Sequence, residues 1–189
     1  MRFLLDYFRT PQWRRQHRWR KAIWNMAGRL GLTGLHLLPV NRRWVEIHRR
    51  RMPLRHLPAD LEGLRIVQIS DLHYSPVVWK RYLLQLIRLI NELKPDIVVV
   101  TGDLISGGYR FAHQIATILS HLHAPRGVIC ILGNHDYSIY GRNGSAEGCR
   151  RADYLAKCLR QRGLIVLRNE IHEVHGTRHD SALQIVGLD

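Results

Sequence analysis

Asp71, His73, Asp103, Asn134, His135 and Asp136 are the residues of this chain whose types and spacing could do chemistry. They fall in three groups, each directly after an apolar run. Residues 64–70 lead into Asp71 and His73, residues 96–101 into Gly102 and Asp103, and residues 127–132 into Gly133, Asn134, His135 and Asp136. Carboxylates, imidazoles and an amide make a mixed oxygen and nitrogen donor set. Such a set suits Mn, Fe, Zn or related ions rather than calcium, whose ligands are oxygens almost throughout. Taken singly, an Asp after a strand is more often a helix cap or turn residue than a ligand. Three such endings in register are not explained by capping. Gly102 and Gly133 fit tight turns, where backbone bends close to a ligand.

For these side chains to meet, the three runs must be neighbouring parallel strands. Residues 64–70 form a short β-branched run, read as a buried strand. Residues 77–93 carry Leu83, Leu86, Ile87, Ile90 and Leu93 at helical spacing, and Pro95 stops the helix. In residues 96–101, Ile97, Val98, Val99 and Val100 follow one another, so both faces of that strand should be covered, as in a parallel, helix-flanked sheet. Residues 111–122 read as a helix ended by Pro125, 127–132 as a third strand, 146–162 as a helix and 164–167 as a fourth strand. Residues 170–188 read as two weaker strands around a polar turn at Gly176. The carboxyl ends of strands in an open parallel sheet line one rim, where ligands bind, so all these groups should converge there.

The strings Asp71-Leu72-His73, Gly102-Asp103 and Gly133-Asn134-His135-Asp136 closely resemble the motifs of the calcineurin-like metallophosphoesterase family. With Leu57, Pro58, Gly63, Ile66, Ile69 and Ser70, the approach to the first motif is similar to a bacterial subgroup. That subgroup includes membrane-associated phosphodiesterases and UDP-2,3-diacylglucosamine pyrophosphatases. The resemblance covers about residues 50 to 189. It implies an α/β fold, an α-β-β-α sandwich of two facing sheets, of which this chain would supply the first half. It also implies two divalent metal ions of Mn, Fe or Zn type. Asp71 and His73 would hold one, Asp103 would bridge both, and Asn134 would hold the second through its amide oxygen. A metal-bridging hydroxide would hydrolyse a phosphodiester or pyrophosphate, with His135 stabilising the transition state or protonating the leaving oxygen and Asp136 orienting the imidazole.

The family pattern continues with a lone His and a Gly-His-x-His motif, which supply three further ligands and do not occur in these 189 residues. The chain is therefore expected to be C-terminally truncated, to bind the second metal weakly and to be aggregation-prone through an uncovered sheet. The alternative to an enzyme is a non-catalytic remnant that binds metal, phosphate or membrane without turnover. His113, His121 and His123 are expected in or just after a helix, and His172, His175 and His179 in the turn between the last two strands. None is expected at the rim.

Charge divides the chain differently. Residues 1–60 hold fourteen Lys/Arg and three Asp/Glu, which is +11 of the net +14. Residues 1–55 are expected to be a basic, Trp-containing helical extension and linker, and 56–189 the domain. The stretch 22–40 is interrupted by Asn25, Arg29 and His36, which makes it a poor signal core and a poor membrane span. Two readings of the extension stand. Trp13, Trp19, Trp24 and the leucines after them could enter a lipid head-group region with the arginines outside, or the segment is an ordinary basic helix. An anionic membrane surface met through residues 1–50 is the expected partner besides the phosphate-ester substrate. Nucleic acid is not. Three cysteines without paired spacing fit a reducing compartment, so the expected location is cytoplasmic, peripheral to the inner face of the membrane.

Overall fold

The computed structural model describes residues 45–106, 108–137, 146–178 and 181–188. The chain divides into two units, Met1–Glu46 and Ile47–Asp189, and the architecture below is that of the second. The expectations for residues 1–44 lie outside the described residues, as does His179.

Four parallel strands make the first sheet, in the order β1 (Ile66–Ile69), β2 (Ile97–Thr101), β3 (Val128–Ile131) and β4 (Ile165–Val166). The connections carry α1 (Lys80–Glu92), α2 (Arg110–Leu119), the short α3 (Asn134–Tyr137) and α4 (Ala146–Arg160). An antiparallel hairpin, β5 (Glu170–His175) with β6 (Ala182–Gly187), follows as a second sheet. Register is continuous from strand to strand: Val98 lies between Val67 and Val128, and Val100 between Ile69 and Cys130. The strands therefore finish level, as a shared rim requires.

The run of branched residues in β2 is covered on both faces, as its composition predicts. On one face Val98 and Val100 pack with Ile87 and Ile90 of α1, Ile115 and Leu119 of α2, and Leu155 and Leu159 of α4. On the other, Ile97 and Ile129 meet Leu167 and Val174, with Leu183 and Ile185 of β6 closing the layer. Alanines 112 and 116 on α2 and 152 and 156 on α4 are buried in the first cluster. Their small side chains let α2 and α4, which pack together, approach closely.

Two sequence expectations are corrected. The first strand is not buried: β1 lies at the sheet edge among the described residues, and Ile66 is 39% exposed. α1 begins at Lys80, three residues later than expected, because Trp79 is still extended (φ −75°, ψ 141°). Its end is as predicted, with Lys94 in the left-handed region (φ 50°) just before Pro95.

Candidate metal centre

Parallel pairing does not stop where the strands do. Asp71 N–H donates to Gly102 O at 3.1 Å, His73 N–H to Asp103 O at 2.9 Å and Tyr74 N–H to Leu104 O at 2.9 Å, ending in a bridge between Tyr74 and Ile105. The loops after β1 and β2 are thereby stitched together. Within them the chain alternates: Leu72, Tyr74, Leu104 and Ile105 are buried, whereas Asp71, His73 and Asp103 take positive φ (56°, 45° and 55°) and turn their side chains toward the rim. Left-handed backbone at a non-glycine residue costs on the order of 1–3 kcal/mol. Burial of the apolar neighbours and the stitched amides hold the conformation against that cost.

Asp103 is the centre of the arrangement. Its Oδ1 accepts the His135 backbone N–H at 2.9 Å, and its Oδ2 lies 3.8 Å from His73 Nε2. The same imidazole nitrogen is 3.7 Å from Asp71 Oδ1, while Asp71 Oδ2 accepts the Ser70 hydroxyl at 2.5 Å. The His73 and His135 rings stand edge to face, 4.6 Å between centroids. One ligand atom from each of His73, Asp103 and His135 can be chosen so that all lie within 4.8 Å of one another. It is the single such group of three or more His, Cys, Asp or Glu among the described residues. The floor is tight: a Cβ on Gly133 would collide with the Asp103 carboxylate, and one on Gly102 would come 3.0 Å from Gly133 Cα.

Asp136 departs from its expected role. Its carboxylate is fully buried and accepts N–H bonds from Leu104 (3.0 Å), Ile105 (3.0 Å) and Gly133 (2.9 Å), with none to an imidazole. It therefore pins the loops after β2 and β3 to each other and does not orient His135. Burial, with the neighbouring Asp103 charge adding to it, pushes its carboxyl above the ordinary value against the pull of the three amides. His135 instead presents a buried Nδ1 with no hydrogen-bond partner. Its main chain is gripped by Arg151 of α4, which donates Nη2–H to His135 O and Nε–H to Asp136 O, the latter at 3.0 Å. Asn134 opens α3 next to His135 and is exposed, and the Asp71 side chain, beside His73 Nε2, is 65% exposed. His172 and His175 lie on β5 rather than in the turn, and neither joins the group.

These residues fit a divalent cation. Carboxylate oxygens and imidazole nitrogens converge, His73 Nε2 faces two carboxylates, and a buried ring nitrogen has no protein partner. Ser106, whose hydroxyl lies 2.8 Å from His73 Nδ1, and Arg151 belong to the site's support and were not singled out from sequence. A serine three residues after the motif aspartate carries little signal, and an arginine on an arginine-rich helix carries none.

Comparison with known proteins places these features among relatives. The profile of the family described as calcineurin-like phosphoesterase matches residues 64–189. The uncharacterized metallophosphoesterase YkuE of Bacillus subtilis is 44% identical over 87 residues, 45% of this chain and 30% of that protein. The UDP-2,3-diacylglucosamine pyrophosphatase LpxG of Chlamydia trachomatis is 45% identical over 83 residues, 43% of this chain and 25% of that protein. An uncharacterized metallophosphoesterase of Aquifex aeolicus is 30% identical over 146 residues, 77% and 49% of the two chains. The chain thus spans from a quarter to about half the length of these relatives.

Proposed function

The chain belongs to the calcineurin-like phosphoesterase family, and from that premise we propose that it supplies the rim of a metal-dependent hydrolase acting on a phosphodiester or pyrophosphate. The observation that carries this reading is the convergence of His73, Asp103 and His135 at the ends of three adjacent parallel strands. Asp71, His73, Asp103 and Asn134 would hold divalent cations, with Asp103 shared. A cation bound there supplies charge neutralisation at the phosphoryl oxygens and promotes ionisation of water at neutral pH. The protein's part is to hold the donors rigid. Water adds to phosphorus and gives up a proton to solvent, the ester P–O bond breaks, and the departing oxygen takes a proton from His135, which regains one from solvent and whose peptide is held between Asp103 and Arg151.

A lipid substrate is the finer reading. Its supports are the similarity to LpxG and the basic, Trp-containing first sixty residues, which suit attachment to the cytoplasmic face of an anionic membrane. No described helix is long and apolar enough to cross one.

The test is hydrolysis of bis(p-nitrophenyl) phosphate with added Mn²⁺. Turnover that needs the metal and falls at least about a hundredfold in Asp103→Ala is expected, since loss of one preorganised charge-stabilising group costs roughly 10²–10³ in rate. Turnover unaffected by Asp103→Ala would sink the proposal. Metal binding without turnover would favour the second reading, a non-catalytic binder of metal, phosphate or membrane.

A further inference from the structure

An imidazole that binds a metal must present a bare nitrogen to it, and which nitrogen is bare depends on the partner of the other. His73 is flanked on both sides. Nε2 faces Asp71 Oδ1 and Asp103 Oδ2, at 3.7 and 3.8 Å, whereas Nδ1 lies 2.8 Å from the Ser106 hydroxyl. We infer that Ser106 is a positioning residue: its oxygen accepts the Nδ1–H of His73 and leaves the Nε2 lone pair aimed between the two carboxylates, where a divalent cation binds. The inference rests on the proposed metal site and assigns the ligand atom within it.

The backbone around Ser106 is built for this. Ser106 N–H donates to Tyr74 O at 3.3 Å, next to the Tyr74–Ile105 bridge, and Ile105 N–H is held by the Asp136 carboxylate at 3.0 Å. His73 is likewise fixed through its own N–H to Asp103 O at 2.9 Å. Hydroxyl and imidazole therefore meet because two stitched loops oblige them to. A hydroxyl can also donate, which would put the hydrogen on Nε2 and turn an N–H toward the carboxylates. That tautomer cannot bind a cation through Nε2, so the two arrangements give opposite observables.

The experiment measures Mn²⁺ affinity by electron paramagnetic resonance and the His73 tautomer by ¹⁵N-edited NMR of the Zn²⁺-loaded full chain. Loss of the group that orients a ligand histidine typically costs 10–100-fold in metal affinity. Ser106→Ala is expected to weaken Mn²⁺ binding by about that much, and Ser106→Thr, which keeps the hydroxyl, to recover most of it. His73 should carry its hydrogen on Nδ1. Equal Mn²⁺ affinity in the wild type and Ser106→Ala, or a bare Nδ1 on His73, overturns the inference while leaving the metal site standing. A wild-type chain that binds no Mn²⁺ overturns both. Phosphodiester turnover enters neither readout, so its absence bears on the proposed function alone.

Discussion

Asp136 carries the clearest consequence at the scale of single residues. Three backbone N–H groups from two loops converge on one buried carboxylate. Replacing it by Asn keeps the shape but turns one acceptor oxygen into an NH₂ that faces other donors. A buried donor left without a partner costs about 1–3 kcal/mol. Asp136→Asn should therefore lower the urea unfolding free energy by about 2 kcal/mol. Mn²⁺ affinity should fall with it, since the loops it pins carry Asp103 and Gly133. An unchanged unfolding midpoint would show that the carboxylate does not pin them. The motif string identified Asp136 as belonging to the site, yet it could not give its role. Asp and His adjacent in sequence suggest a carboxylate–imidazole pair; in a single helical turn their side chains diverge, and Asp136 points inward to the amides while His135 stays at the rim.

Secondary structure was legible for an ordinary reason: apolar runs of four or five branched residues bounded by Pro and Gly leave little choice of element. Levelness of the strand ends followed from the parallel order, and with it the convergence of Asp103, His73 and His135. What could not be read was support that comes from far along the chain. Asp60, in a 3-10 turn (Ala59–Leu61), illustrates it. Its Oδ2 accepts the backbone N–H of Thr177 at 2.6 Å and of Arg178 at 3.1 Å, and the Ser181 hydroxyl at 2.7 Å, fastening the turn between β5 and β6 to the start of the domain. The Ser181 hydroxyl first, then the Arg178 and Thr177 amides, hold this carboxyl well below the usual range. A carboxyl whose folded value is depressed contributes stability above its unfolded value of about 3.9 and loses it as pH falls below that. Hydrogen-exchange protection of the Thr177 and Arg178 amides should accordingly be high at pH 6 and drop between about pH 4 and the acid limit. Asp60→Asn should lack the pH step. Protection that is the same at pH 3 and pH 6 in the wild type would show that the turn does not depend on this charge.

At the scale of the whole molecule the charge is lopsided in a way that the fold does not require. The candidate metal rim sits in a unit beginning at Ile47, whereas most of the excess cation lies in the first sixty residues. Each Lys or Arg near an anionic bilayer contributes about 1 kcal/mol, so four acting together amount to roughly a thousandfold in affinity. Trp13, Trp19 and Trp24, interspersed with Arg14, Arg15, Arg18 and Arg20, are of the type that settles at head-group depth. Indole–lipid contact persists in salt, whereas attraction between charges is screened as the Debye length shrinks from about 10 Å at 0.1 M to about 3 Å at 1 M. The full chain should therefore sediment with vesicles containing phosphatidylglycerol and much less with phosphatidylcholine alone. The difference should shrink in 1 M salt, and Gln at positions 14, 15, 18 and 20 should remove most of it. The same substitutions should leave Mn²⁺ affinity unchanged, because His73, Asp103 and His135 all belong to the unit Ile47–Asp189. Equal sedimentation with both kinds of vesicle would exclude charge as the basis of membrane recruitment. Tighter binding to DNA than to anionic vesicles would reassign the basic segment to nucleic acid.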